Sequence, residues 1–256
     1  MGVGVGLGLA DFPFSGIDPL WRWVALCEEG GVDSIWQTDR LVSAQPYLEC
    51  MSLMAALAGA TKRIKFGMNV AVLGWREPLL LAKQCATIDV LSGGRLLPAF
   101  GVGSPRGAEW GALGLRPRGH GTRVDEALEI LARLWTEESV DFEGAHHRLN
   151  GARIEPKPIQ RRFPLWVGGA SKAAIRRTAR FGTGWLGGAM TPADGAVVVA
   201  AIKREAERVG RTIPDDHYGV GLAYRRGSRD DGAVQDVAAA YREVLGVDPE
   251  SRIVVG

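Results

Sequence analysis

Residues 77–103 read EPLLLAKQCATIDVLSGGRLLPAFGVG, and this stretch decides the fold. Pro78–Leu91 has helical spacing with proline in its first turn, where the missing N–H costs no intrahelical bond. Arg95–Gly101 (RLLPAFG) is a short apolar strand that runs straight into a glycine-rich loop at 101–107. Parallel strands need helical crossovers, so a helix delivering such a strand is the repeating unit of a parallel α/β sheet.

The same alternation recurs on both sides. Upstream, strands are expected at Val3–Leu9, Asp33–Thr38 and Ile64–Val72, separated by helices at Pro19–Glu29 and Tyr47–Ala60. Asp18 is the candidate N-cap of the first helix, Gly30-Gly31 is its stop, and Thr61-Lys62 ends the second. Downstream comes an excursion over about 104–163. It holds a helical turn at Glu109–Leu113, an amphipathic helix at Arg123–Thr136 and a hairpin at Val140–Leu149 around Glu143-Gly144. Strands then follow at Leu165–Gly168, Gly184–Gly187, His217–Tyr224 and Arg252–Val255, with helices at Lys172–Phe181, Ala193–Val209 and Asp231–Leu245 between them. Eight strands with helical crossovers imply an α/β chain closed as a (β/α)₈ barrel, and 256 residues suit the roughly 250 of that fold. We read one domain over 1–256. Its last helix is missing because the chain stops at Gly256; either the sequence is cut short there or a partner covers the gap.

Composition narrows the function. With 46% apolar and 23% charged residues the chain can bury a sizeable core, and a net charge of +2 leaves no footprint for nucleic acid. Cys27, Cys50 and Cys85 are far apart and form no CxxC, so neither a disulfide framework nor a metal site is implied, and a reducing cytoplasm fits. Met1–Ala10 is apolar without Lys or Arg and reads as a strand, not a signal peptide; Gly at position 6 argues against myristoylation. No apolar run reaches about 18 residues, so no membrane span is expected.

A barrel of this kind builds its site from the loops that follow its strands. The most informative loop is GGAS at 168–171, which opens a helix. Gly168 and Gly169 let backbone approach a ligand, the free N–H groups of the helix start suit a phosphate, and Ser171 adds a hydroxyl. The bland alternative is a tight turn with a serine cap. Gly187-Gly188 offer a second backbone wall. GVGSPRG at 101–107 lacks the helix and the later acidic residue of a dinucleotide fingerprint, and reads as a surface for a flat ring. The glycines of GVGVGLG at 2–8 make room inside the barrel. Asp39-Arg40 end strand two, and Asn69 lies in an apolar strand, where a buried amide needs partners. Trp36, Trp75, Trp110 and Trp185 sit near strand ends and serve packing or an apolar pocket. His146-His147 lack a third metal ligand at suitable spacing, His120 reads as a turn residue, and Arg123 with Glu126 reads as a structural pair. No Ser-His-Asp order, HExxH or P-loop occurs.

Together, GVDSIWQTDRL at 31–41, the 77–103 stretch, RVDEALEILARLW at 123–135 and ARIEPKPIQRRFPLWVGGAS at 152–171 resemble the bacterial-luciferase-like superfamily. The likeness runs over essentially the whole chain, and GARIEP and PKPIQ look most like its F420-dependent oxidoreductase branch. The resemblance implies a (β/α)₈ barrel binding F420 or FMN. Its phosphate would be held by Gly168, Gly169, Ala170 and Ser171, with Gly187 and Gly188 nearby. The ring would lie on a bulge in strand three whose peptide is often cis, matched here by Asn69–Val70. Asp39 matches a cofactor-side aspartate, and the Gly101, Val102 and Gly103 backbone would help fix the ring.

Two departures stand out. Arg40 replaces a frequent histidine; it could stabilise an oxyanion but not shuttle a proton near neutral pH. The 104–109 loop is short, leaving Glu109 as the nearest counterpart of a catalytic glutamate. The implied activity is hydride transfer between a deazaflavin and a small, partly hydrophobic organic substrate. The alternatives are an FMN-dependent monooxygenase fed by a reductase and a catalytically silent, subunit-type relative. A homodimer is expected.

Overall fold

The computed structural model describes residues 3–9, 16–225, 227–228, 230–240, 242 and 253–255. The chain divides into two compact units, 1–167 and 168–256.

The first unit opens with β1 (Gly6–Gly8), α1 (Ile17–Glu29), β2 (Ser34–Gln37) and α2 (Cys50–Ala60). Next come β3 (Lys65–Met68), β4 (Ala71–Val72), a 3-10 turn (Leu73–Trp75), α3 (Pro78–Ser92), β5 (Leu96–Leu97) and β6 (Ala99–Gly101). The excursion contains α4 (Ala108–Ala112), α5 (His120–Thr136) and the antiparallel pair β7 (Val140–Glu143) and β8 (Arg148–Ala152), before β9 (Trp166–Gly168). β1, β2, β3 and β5 pair in that order, all parallel. β4 pairs with β6 and β6 with β9, again parallel. Their inner residues, among them Ile35, Phe66, Met68, Leu96 and Phe100, are fully buried.

The expected third and fourth strands are each two short strands. The third breaks at the Asn69–Val70 peptide, which is cis. The fourth breaks at Pro98, which has no N–H for the ladder. Two helix starts also differ. Gly16, not Asp18, stands at the N-cap of α1, with Asp18 inside the first turn. Tyr47 lies outside α2, because the Glu49 side chain accepts from Ser52 N–H and sets the start.

Several family-like motifs prove to be structural. Arg95 of SGGR donates to the carbonyls of Ala58, Thr61, Ile64 and Ser92, closing the ends of α2 and α3. Asp89 of α3 accepts from Ile159 N–H, Gln160 N–H and Gln160 Nε2, which ties down PKPIQ. Glu126 of α5 accepts the N–H groups of Ala145, His146 and His147 and fixes the hairpin tip. Glu126 therefore serves the hairpin, and the expected pair with Arg123 does not form.

The second unit holds α6 (Lys172–Phe181), β10 (Gly184–Gly188), α7 (Pro192–Arg208), a 3-10 turn (Asp215–His217), β11 (Tyr218–Gly221), β12 (Ala223–Arg225), α8 (Gly232–Ala240) and β13 (Ile253–Val255). β10 pairs with β11 and β12 with β13, both parallel. Trp185, Met190, Val198, Ile202 and Ile213 form its core. Thr191 and Asp194 cap α7 reciprocally, so that helix starts at Pro192. The expected seventh strand is split at Leu222, and His217 belongs to the 3-10 turn. Met1, Gly2 and Ala10 of the first expected strand, residues 241 and 243–245 of the last expected helix, and Arg252 lie outside the described residues. Cys27, Cys50 and Cys85 are free and buried. Among the described residues no helix is long and apolar enough to cross a membrane.

Candidate functional site

In the first unit the site is built around Asp39, just beyond β2. Its side chain is fully buried and does not turn to Arg40. Val72 N–H donates to Oδ2 at 2.9 Å, Arg76 Nε donates to the same oxygen at 3.3 Å, and Arg76 Nη2 donates to Oδ1 at 2.8 Å. The same Nη2 reaches Glu49 Oε1 at 3.0 Å and Cys50 Sγ at 3.2 Å. Burial works against the Arg76 charge, but Cys50, Asp39 and Glu49 outweigh it and push its pKa up. Burial and the Asp39 charge push the Cys50 thiol up, so it stays protonated. Burial also raises Glu49, yet N–H donors at Ser52 and Met51, with Arg76, hold it below the ordinary carboxylate range. Asp39, Glu49 and Cys50 converge closely enough to hold a metal ion, but Arg76 already supplies their cation.

Arg76 is the residue that sequence reasoning missed. Nothing beside Arg76 in the sequence marks it, because the carboxylate it holds follows a different strand. The only available signal was a third-loop arginine facing a second-loop carboxylate across 37 positions.

The segment from Asn69 to Arg76 carries the rest of this wall. Asn69 is exposed, which corrects the expectation of a buried amide; only its N–H is engaged, donating to the Gln37 carbonyl at 2.8 Å. Val70 lies over Gly101, where an added Cβ would come within 2.6 Å of Val70 Cγ2. Gly101 is thus needed for packing within the wall. Val102 and Gly103 are half-buried beside it. Trp75 meets Trp110 edge-on at 5.8 Å, and Trp110 Nε1 donates to the Ser104 carbonyl. Glu109, 1% exposed, keeps Oε1 without a hydrogen-bond partner. His120 starts α5 and packs on Trp110 at 5.3 Å. Arg40 is exposed, and no hydrogen bond or ion pair engages it among the described residues.

In the second unit, the 168–171 turn leads into α6. Gly169 has φ +100, which a side chain would strain. Ser171 is the N-cap, and its Oγ accepts from Ala174 N–H at 3.1 Å. The serine-cap reading therefore holds. It leaves the Lys172 and Ala173 N–H groups without intrahelical acceptors, as at any helix start. Trp185 Nε1 donates to the Gly169 carbonyl at 2.7 Å and fixes the turn. Gly169, Ala170, Ser171 and Gly188 are exposed, and a Cβ at Gly188 would meet open space. Gly168 is half-buried, and Gly187 is buried against Trp185. An exposed turn with glycine backbone, open N–H groups and a hydroxyl is what a phosphate-bearing cofactor requires.

Trp36, packed against Trp166, and the buried Trp185 serve the core. Burial and the Arg123 charge push His147 below its ordinary pKa, and among the described residues no third ligand joins it and His146.

Parallel strands alternating with helices define an α/β chain of the (β/α)₈ type, and its glycine-rich loops are candidates for a ring and a phosphate. The luciferase-like monooxygenase profile matches residues 7–251, and the chain belongs to that family. An uncharacterised protein of Mycobacterium tuberculosis is 31% identical over 217 residues, covering 82% of this chain and 73% of that one. The F420-dependent glucose-6-phosphate dehydrogenase of Amycolatopsis mediterranei is 27% identical over 214 residues, 77% of this chain but only 61% of its own length. Among solved structures, the coenzyme F420-dependent tetrahydromethanopterin reductase of Methanopyrus kandleri superposes with a TM-score of 0.79 at 22% identity, covering 96% of this chain and 73% of that one.

Proposed function

We propose that the protein is an F420-dependent oxidoreductase that moves a hydride between the deazaflavin and a small, partly hydrophobic organic substrate. The observation that carries this reading is the 168–171 turn, with its left-handed Gly169 and its exposed entry to α6. Gly168, Gly169, Ala170 and Ser171, with Gly187 and Gly188, would hold the phosphate. Asn69, Val70, Gly101, Val102 and Gly103 would carry the ring, with Asp39 in the same wall. When bound, the deazaflavin supplies the hydride chemistry, and the chain supplies orientation and electrostatics. Arg40 offers its unengaged guanidinium to a substrate oxygen. Glu109 can hold or accept a proton at the free Oε1. Trp75, half-buried and backed by the buried Trp110, offers apolar surface to the substrate.

The same reading takes 1–256 as one domain of a cytoplasmic homodimer, with a separate reductase keeping the cofactor supplied. Three free thiols suit that reducing compartment. The test is equilibrium titration of the purified protein with F420 and with FMN. Saturable binding of F420 with weak FMN binding is expected; a clear preference for FMN overturns the F420 reading and favours the monooxygenase. Bound F420 without turnover across alcohols, ketones and enones would favour a silent relative.

A further inference from the structure

We infer that Arg76 is a positioning residue: by binding both oxygens of Asp39 it makes that carboxylate a brace for the 69–76 segment and not a direct cofactor ligand. The inference rests on the proposed cofactor reading and concerns how this wall is held. Asp39 is 4% exposed, and its two oxygens already accept from Val72 N–H, Arg76 Nε and Arg76 Nη2. A carboxylate so occupied has little capacity left for a ring nitrogen or carbonyl. Its bonds go instead to the Val72 N–H, two residues beyond the Val70 that lies over Gly101, and to the Arg76 guanidinium.

Arg76 anchors the other end. Its Nη2 also reaches Glu49 Oε1 and Cys50 Sγ at the start of α2. The brace therefore runs from α2 through Arg76 and Asp39 to Val72, and fixes Val70 and Trp75 on either side. The guanidinium fork makes this geometry; an ammonium would keep the charge but not the two-oxygen grip.

A fold staple with no bearing on the cofactor would give the same geometry, so the test must read cofactor binding as well as stability. The experiment is a double-mutant cycle on the full chain with Arg76→Lys, Asp39→Asn and the pair. Thermal midpoint, F420 dissociation constant and the visible absorption band of bound F420 are read for each. Each single variant should weaken F420 by about tenfold and shift the band, and the double variant should be no weaker than the worse single, as coupled neighbours behave. Multiplying losses would show that Asp39 contacts the cofactor on its own and overturn the inference. So would lower thermal midpoints with unchanged affinity and band, which is the staple. Arg76→Lys keeps the buried charge compensated and so guards against simple unfolding. A wild-type protein that binds neither F420 nor FMN overturns the functional reading, whereas wild-type binding with either of the two contrary variant patterns overturns this inference alone.

Discussion

Replacing Asp89 by alanine tests whether the PKPIQ motif is scaffold or site. Asp89 is 0% exposed, near the end of α3. Its Oδ2 accepts Ile159 N–H at 2.8 Å and Gln160 N–H at 3.2 Å, and its Oδ1 accepts Gln160 Nε2 at 2.7 Å. Alanine leaves all three donors without their acceptor. A hydrogen bond to a charged group contributes about 1.5–3 kcal/mol, so three give a gross loss of about 4.5–9 kcal/mol. Two effects reduce it: the carboxylate no longer has to be desolvated, and it no longer sits at the negative end of a helix dipole, which alone returns about 0.3–1 kcal/mol. A net loss of about 3–5 kcal/mol follows by that reckoning. At about 2–4 °C per kcal/mol for a chain of this size, the thermal midpoint should fall by roughly 10 °C. Gln160→Ala removes one of the three bonds to Asp89 and also the bond from Nε2 to the Leu96 carbonyl, so it should cost more than a third as much but less than Asp89→Ala.

The assay is thermal unfolding by far-UV circular dichroism at pH 7, paired with F420 titration well below the transition. The expected result is a large stability loss with cofactor affinity unchanged. A midpoint shift below about 3 °C would refute the three-bond reasoning. Weakened F420 binding at unchanged midpoint would refute the assignment of the motif to the scaffold.

Glu126 makes a pH-dependent contribution. Burial raises its carboxyl, but the N–H groups of His146, Ala145 and His147 outweigh that and hold it below its ordinary 4.5. A depressed folded pKa stabilises above the unfolded value and fades as pH falls through the folded one. The stability gap between wild type and Glu126→Gln should therefore be full at neutral pH and close below 4.5; a gap that is constant with pH in urea titrations would sink this account. Ser171→Ala should cost about 1 kcal/mol through the lost N-cap and, on the proposed reading of the exposed 168–171 turn, also weaken F420 several-fold. A lower midpoint with unchanged F420 affinity would leave Ser171 a cap alone.

What could be read from the sequence was what is decided locally. Lys172–Phe181 is a helix over the expected residues because Ser171 caps it and its apolar positions recur at helical spacing. The strand-to-helix alternation was legible for the same reason, and so was the glycine turn at 168–169. Breaks within strands were not. A run such as RLLPAFG looks continuous by composition, and Pro98 interrupts its ladder only once neighbouring strands define which N–H is needed.

The site was legible in position but not in pairing. Asp39 and Arg40 were placed together at the end of strand two as mouth residues, but the cation that holds Asp39 is Arg76 from the following loop. Successive residues at a strand end point to opposite faces, so adjacency in sequence separates two side chains where it seems to join them. Asp39 turns inward to Val72 and Arg76, while Arg40 is left outside and unengaged. That division gives the two residues different work. The buried carboxylate, already matched by a guanidinium, can hold backbone in place; the exposed guanidinium, engaged by nothing among the described residues, is the one that the proposed function assigns to a substrate oxygen. A substitution of Arg40 should thus change substrate preference without loosening the wall, whereas one at Arg76 should loosen the wall for every substrate alike.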